Sequence, residues 1–71
     1  MTFIEALTLL NKENNINYIT RNNSEYYSIC RNDDICRHRK NIYYNSYDDI
    51  VCSPTVDDIL KDDWRALEYL P

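Results

Sequence analysis

The chain of 71 residues contains no glycine, the residue that adopts positive φ angles most easily in tight turns. Asparagine is the next best residue at such positions, and nine asparagines are present. The asparagine pairs at 14–15 and 22–23 are therefore predicted to form turns. The first pair is expected to end a helix with a left-handed cap, and the second to connect two strands.

Long hydrophobic runs are also missing, and no segment approaches the roughly 20 apolar residues of a membrane span. The first ten residues, MTFIEALTLL, contain Glu5 and have neither a basic start nor a small-residue cleavage site, so they do not fit a secretory segment. We therefore expect a soluble cytoplasmic protein with no membrane partner.

The three cysteines are an odd number and fit a disulfide framework poorly, which favours reduced thiols. Together with His38, the cysteines at 30, 36 and 52 lack the closely spaced ligand pairs of most zinc sites. Small buried thiols are the favoured interpretation, and no metal or other cofactor is predicted.

The formal net charge of −4 is unevenly distributed. Residues 30–40 are basic, whereas residues 48–63 contain six aspartates and a single lysine. The acidic balance argues against binding of duplex nucleic acid, but the basic segment suits a small anion. A chain of this size buries only about 60% of its extended surface, so we expect added burial through self-association.

Two segments carry helix-start signals. Thr2 and Glu5 form a capping box, and apolar residues recur at helical spacing after them, which predicts a helix from 3 to about 13. Thr55 and Asp58 form a second capping box, which predicts a short helix ending near Lys61.

Alternating segments rich in strand formers, separated by turn residues, fill most of the remaining chain. The order of helix, strands, short helix and strand indicates a single domain of the α+β class with an antiparallel sheet. The predicted strands are 16–20, 25–30, 35–39, 42–47, 50–52 and 64–70, with turns at 22–23, 32–34, 40–41 and 48–49.

The residue types give no obvious catalytic set. His38 lies between Arg37 and Arg39, and adjacent positive charges oppose protonation of an imidazole. No serine or cysteine has a base partner that spacing would suggest. A solvated basic strand is the favoured interpretation, and the protein is predicted not to be an enzyme.

Four aspartate pairs are compatible with a magnesium site or with a surface that mimics a row of phosphates. Each pair also has a local explanation at a turn or a helix start, where aspartate binds free backbone donors. The local explanation is favoured, although a phosphate-like surface stays open. The pairs are Asp33–Asp34, Asp48–Asp49, Asp57–Asp58 and Asp62–Asp63.

Seven tyrosines include the pairs Tyr26–Tyr27 and Tyr43–Tyr44 in predicted strands. Alternation along a strand should turn one ring of each pair to the core and the other outward. Outward rings near arginines would suit the base and phosphates of a nucleotide. Strand propensity and an oligomer interface explain the same pattern equally well.

The two ends of the chain resemble the phage Thoeris anti-defence proteins of the second type. The opening match is FIEALTLL followed by INYITR, and the closing match is VCSPTVDDILKDDWRAL. The matching residues are Phe3, Glu5, Ala6, Leu7, Arg21, Asp57, Ile59, Leu60, Asp63 and Trp64.

The resemblance implies a small α+β homotetramer in the host cytoplasm. It implies that the protein sequesters cyclic nucleotide immune signals, either cyclic ADP-ribose isomers or cyclic oligonucleotides, without cleaving them. Some relatives are linked to inhibition of CRISPR nucleases. The alternative is therefore a protein–protein inhibitor of a bacterial defence nuclease that uses the aspartates as a nucleic-acid mimic.

On this hypothesis Tyr26 or Tyr27 stacks on a base of the ligand. Arg21 pairs with a pyrophosphate, together with Arg37 or Arg39 from a neighbouring subunit. Asp57 and Thr55 would fix the ribose or the base edge. Residues 57–64 are otherwise expected to be mainly frame, with Trp64 as an anchor of the core or of an interface, whereas residues 53–55 are candidates for the site. The candidate ligand-binding residues are Arg21, Tyr26, Tyr27, Arg37, Arg39, Thr55 and Asp57.

Overall fold

One antiparallel sheet of five strands organises the chain, and the computed structural model describes all of residues 1–71. The spatial strand order is β4-β3-β2-β1-β5, and a 3₁₀ turn at Arg31–Asp33 connects β2 to β3. The α+β fold predicted from the sequence is confirmed. The elements are α1 (Phe3–Lys12), β1 (Tyr18–Thr20), β2 (Glu25–Ile29), β3 (Ile35–Asn41), β4 (Ser46–Val51), α2 (Val56–Ile59) and β5 (Arg65–Leu67).

The capping box predicted at the start of α1 is confirmed. The Glu5 backbone N–H donates to the Thr2 hydroxyl at 3.2 Å, and the Thr2 N–H donates to the Glu5 carboxylate at 2.9 Å. The left-handed cap expected at residues 14–15 is wrong, because the helix ends at Lys12 and the next residue, Glu13, is extended. α1 is ten residues long, and no helix has the length and apolar character needed to cross a bilayer.

Asparagine and aspartate replace glycine at the turns. Positive φ angles near 60° occur at Asn23 between β1 and β2 and at Asn32 and Asp33 between β2 and β3, as predicted. A fourth such residue, Asn45 with φ of 49°, ends the turn between β3 and β4. These short polar side chains tolerate the left-handed conformation, so the strands connect tightly without glycine.

The second half of the sheet differs from the predicted division. Residues 42–47 were predicted as a strand and 48–49 as a turn, whereas the turn spans 42–45 and both aspartates lie in β4. The Asn41 side chain fixes this turn by accepting from the Tyr43 N–H at 3.0 Å. The aspartates fit the strand because side chains of β3 bind them and because edge strands tolerate charge.

The sheet has two different faces. Alternation places Ile19, Tyr27, Arg37 and Ile50 in one row, which we call the helix face because α1 packs there. The row on the opposite side has no helix over it, and we call this side the helix-free face. Its residues are Thr20, Tyr26, His38 and Asp49.

Trp64 is the centre of the core, as the sequence indicated. Its side chain is 2% exposed and packs with Phe3 at 5.1 Å and Tyr27 at 5.9 Å between ring centroids. The indole N–H donates to the Asp58 carbonyl at 2.9 Å. The Trp64 N–H also donates to the Met1 carbonyl at 3.0 Å, which joins the two ends of the chain. Only eight of 71 residues are buried, so the core is small for a chain of this length.

Candidate functional site

The predicted binding residues fall into two groups. Tyr27 and Arg37 are directly paired across β2 and β3 on the helix face, and Arg39 lies two residues further along the same face. Tyr26 lies on the helix-free face, on the opposite side of the sheet from Arg37 and Arg39. Arg21 and α2 lie near Tyr27 on the helix face, because Arg21 binds Asp58 of α2 and Trp64, which donates to the Asp58 carbonyl, packs on Tyr27.

Arg21 follows β1 and is held by two carboxylates. Its Nε atom donates to Asp63 at 2.6 Å, and one terminal nitrogen donates to Asp58 at 2.7 Å. The bonds to Asp63 and then Asp58 raise the pKa of Arg21 above its usual value. The guanidinium therefore ties the end of β1 to the closing segment, and a ligand phosphate would have to compete with both carboxylates.

Arg39 and Tyr27 share a single acceptor residue. The Arg39 guanidinium donates to one Glu25 carboxylate oxygen at 3.2 Å, and the Tyr27 hydroxyl donates to the other at 3.0 Å. Burial raises the pKa of Tyr27, and the bond to Glu25 raises it further. Tyr27 is consequently a neutral hydrogen-bond donor at physiological pH, and its hydroxyl is already in use.

Arg37 differs from the other two arginines because no carboxylate binds it. One terminal nitrogen donates to the Cys52 sulfur at 3.6 Å, and the buried Nε atom has no acceptor. Sulfur is a weak acceptor, and a buried donor without a partner costs about 1–3 kcal/mol. Arg37 is thus the cation of this face with unused capacity to bind an anion.

Thr55 and Asp57 lie at the start of α2. The Thr55 hydroxyl accepts from the Asp58 N–H at 3.2 Å and donates to the Asp58 carboxylate at 3.0 Å, so the predicted cap is present. In a complete capping box the Asp58 carboxylate would accept from the Thr55 backbone N–H, whereas here it accepts from the Thr55 hydroxyl. Asp57 is exposed and makes no hydrogen bond or ion pair.

The tyrosine pairs follow the prediction only in part: Tyr26 and Tyr27 face opposite sides of the sheet, as expected, but neither is exposed. Tyr26 and Tyr27 are 2% and 4% exposed, so neither ring offers a stacking surface to a ligand. Tyr43 and Tyr44 are both exposed because they lie in a turn rather than in a strand. Tyr26 is covered on the helix-free face, where its ring meets Tyr47 edge to face at 6.0 Å.

A polar relay that the sequence did not reveal crosses three strands of the helix-free face. The Ser28 hydroxyl lies 2.7 Å from His38 Nε2, and His38 Nδ1 lies 2.6 Å from the Asp49 carboxylate. His38 does lie in a basic strand, but its side chain is not solvated as expected, since it is only 13% exposed and alternation turns Arg37 and Arg39 to the other face. The sequence did not predict these contacts because they depend on the register of the strands, which residue spacing alone does not give.

The cysteines do not form a zinc site. Cys52 contacts Arg37 on the helix face, whereas Cys36 and His38 lie on the other face. No cluster of three or more histidine, cysteine or acidic residues is arranged to hold a metal ion. Burial raises the pKa of the Cys36 thiol, and its neighbour Cys30 raises it further.

The largest cleft lies apart from both groups of residues. It has a volume of about 560 Å³ and lies between α1 and the connection from β2 to β3. Lys12 is its only cation, and none of the predicted binding residues lines it. Its lining residues are Leu7, Thr8, Asn11, Lys12, Ile29, Asp33 and Ile35.

Comparison of the chain with protein-family models, with curated proteins and with solved structures finds no significant match. The resemblance to the anti-defence family therefore depends on the two terminal segments alone.

Proposed function

We propose that the protein binds and sequesters an anionic cyclic nucleotide without cleaving it, and that Arg37 is the residue that holds a phosphate. The observation that carries this proposal is the state of the Arg37 guanidinium. Its Nε atom is buried without an acceptor, and its only bond is to a sulfur atom. The second terminal nitrogen also has no hydrogen bond but is not buried, so a phosphate oxygen there would supply the strong, charged acceptor that the chain itself does not provide.

The environment of Arg37 supports a phosphate more than another cation or an apolar ligand. Of the other two candidate arginines, Arg21 binds two carboxylates and Arg39 binds one, so neither adds free positive charge. The adjacent Tyr27 stays neutral and adds no negative charge. Arg37 is therefore the one guanidinium of the three that a ligand phosphate can bind without displacing a carboxylate.

The packing of the two terminal segments also supports the proposal. Arg21 of the opening segment binds Asp63 of the closing segment, and Phe3 packs on Trp64. The residues that carry the family resemblance thus form one structural unit next to Arg37. The ligand class is taken from that resemblance: cyclic ADP-ribose isomers or cyclic oligonucleotides.

Self-association belongs to the same proposal. One free guanidinium per chain is a small site for a pyrophosphate, whereas a symmetric assembly brings several copies of Arg37 to the ligand. The small core and the exposed apolar side chains leave area for such contacts. A homotetramer is the form that the resemblance implies.

Calorimetric titration with cyclic ADP-ribose isomers, cyclic dinucleotides and cyclic trinucleotides tests the binding site. We expect Arg37→Met to weaken binding of the preferred ligand by about 2–5 kcal/mol, the usual effect of truncating one partner of a buried charge pair. Thermal stability should not fall, because methionine keeps the apolar stem and removes the unpaired donor.

Arg31→Met is the matched control, since Arg31 is exposed in the turn between β2 and β3 and makes no ion pair. The control changes the net charge equally and should leave affinity unchanged. Equal affinities for wild type and Arg37→Met would contradict the assignment of Arg37.

A second candidate function, inhibition of a bacterial defence nuclease by direct contact, is favoured by one surface. The turn between β3 and β4 exposes Ile42, Tyr43 and Tyr44, each about 80% or more accessible (81%, 87% and 79%). Exposed aromatic residues beside the acidic strand β4 suit a protein partner. Tyr43→Ser with Tyr44→Ser should then abolish inhibition of the nuclease while nucleotide binding stays absent in both forms.

A further inference from the structure

The relay of Ser28, His38 and Asp49 has the connectivity of a nucleophile, a general base and an orienting carboxylate. Each residue comes from a different strand, and the three strands are neighbours in the sheet. His38 and Asp49 are directly opposite each other in the ladder, and Ser28 lies diagonally across from His38. The sheet register therefore fixes the order of the three groups.

The two hydrogen bonds define which tautomer a neutral His38 ring adopts. An ionised Asp49 only accepts, so His38 Nδ1 must carry the proton of the 2.6 Å contact. In the neutral imidazole Nε2 is then the acceptor, and the 2.7 Å contact from Ser28 must be donated by its hydroxyl. The serine proton consequently points at the atom that would remove it.

The imidazole is also held in place by packing. The Tyr18 ring meets the His38 ring edge to face at 5.4 Å, and the His38 side chain is only 13% exposed. The Asp49 side chain, at 58% exposure, stays in contact with solvent. Two hydrogen bonds and one aromatic contact thus fix the ring orientation before any substrate arrives, which is the preorganisation that general-base catalysis needs.

We propose that Ser28 is an activated nucleophile that accepts the acyl group of carboxylic esters with good leaving groups, such as aryl esters. Ser28 Oγ forms a bond to the ester carbonyl carbon while its proton moves to His38 Nε2. The bond from that carbon to the leaving oxygen breaks, and the leaving aryl oxide takes the proton from Nε2.

Water then attacks the acyl-serine by the same proton route. The products are the free carboxylic acid and a regenerated Ser28 hydroxyl, so no other reactant is needed. A general base alone contributes about 10²–10⁴-fold, which suffices for esters that need little further stabilisation. This activity lies on the helix-free face and is independent of the phosphate site at Arg37.

The test combines covalent labelling with turnover in the folded full-length protein. A fluorophosphonate reacts with an activated serine by forming an Oγ–P bond and releasing fluoride, and peptide mapping then locates the adduct. We expect one adduct per chain at Ser28 and catalytic release of nitrophenolate from 4-nitrophenyl acetate. Ser28→Ala should lose both, whereas Ser24→Ala, which removes an exposed turn hydroxyl, should keep both.

Two further variants separate the relay from a purely structural hydrogen-bond row. His38→Gln can keep both hydrogen bonds but cannot accept the proton, and it should slow labelling by about 10²-fold or more. Asp49→Asn should also slow labelling, and Asp49→Glu should restore part of the rate, because the orienting carboxylate returns. Because Asp49 is exposed, its variants should stay folded, and a thermal melt of each variant checks that slower labelling does not result from unfolding.

An unlabelled Ser28 in folded wild type would overturn the proposal. An adduct at another residue, or equal labelling rates for wild type and His38→Gln, would overturn it as well, and the three residues would then be a structural row.

Discussion

Replacement of Trp64 tests whether the closing segment is the frame of the fold. Trp64→Ala removes a side chain that is 2% exposed and packs against two aromatic rings. A change of this kind costs about 3–5 kcal/mol. A 71-residue chain at about 0.05–0.15 kcal/mol per residue has roughly 4–11 kcal/mol of stability in total. The variant should therefore be largely unfolded or strongly destabilised.

Trp64→Phe divides this effect into two parts. Phenylalanine keeps most of the ring contacts with Phe3 and Tyr27 but cannot donate to the Asp58 carbonyl. Loss of that bond should cost about 0.5–1.5 kcal/mol, because the Asp58 carbonyl keeps its bond from the Lys61 N–H. For a domain of this size, 1 kcal/mol corresponds to a shift of about 4–8 °C in Tm.

Urea unfolding followed by far-UV circular dichroism measures both variants, since Trp64 is the only tryptophan and fluorescence would be lost. Tyr69→Ala is the control, because Tyr69 is 74% exposed and should change stability by less than about 0.5 kcal/mol. A loss below about 1 kcal/mol in Trp64→Ala would refute the view that this residue anchors the core.

Two smaller predictions concern the helix starts. Thr55→Ala should destabilise the protein by about 1 kcal/mol in urea unfolding and Thr55→Ser by much less, because serine keeps the hydroxyl that caps α2. The bonds from the Thr2 backbone and hydroxyl lower the pKa of Glu5 below its ordinary 4.5. The ionised carboxylate therefore stabilises the folded state above pH 4.5, and this stabilisation is lost as pH falls through the lower pKa of the folded protein. Stability differences between wild type and Glu5→Gln should hence shrink as pH falls from 7 to 3, and a constant difference in Tm across this range would contradict the assignment.

Local signals in the sequence predicted much of the fold because they act over a few residues. The Thr2–Glu5 box determines the start of α1, and the asparagines at 23 and 32 supply positive φ where glycine is missing. The division of β3 and β4 was predicted wrongly because Asp48 and Asp49 resemble a turn in isolation. Their partners on β3 become visible only when the register is known.

The candidate sites depended on the same long-range information. From the sequence, the environment of His38 was expected to be set by the adjacent Arg37 and Arg39. In the folded chain its side chain instead contacts Ser28 and Asp49 from the neighbouring strands. The sequence also gave no reason to separate Arg37 from Arg21 and Arg39. Only the folded chain shows that carboxylates occupy two of these three guanidinium groups.

We propose that the protein retains a cyclic nucleotide unchanged, and this proposal has a direct test. The direct measurement is to mix the purified protein with each cyclic nucleotide, remove unbound ligand by gel filtration, denature the protein by heat and identify the released ligand by chromatography. We expect wild type to retain one ligand and to release it intact, and Arg37→Met to retain much less of it. Failure of wild type to retain any of the ligands, or release of a cleaved product, would contradict the claim.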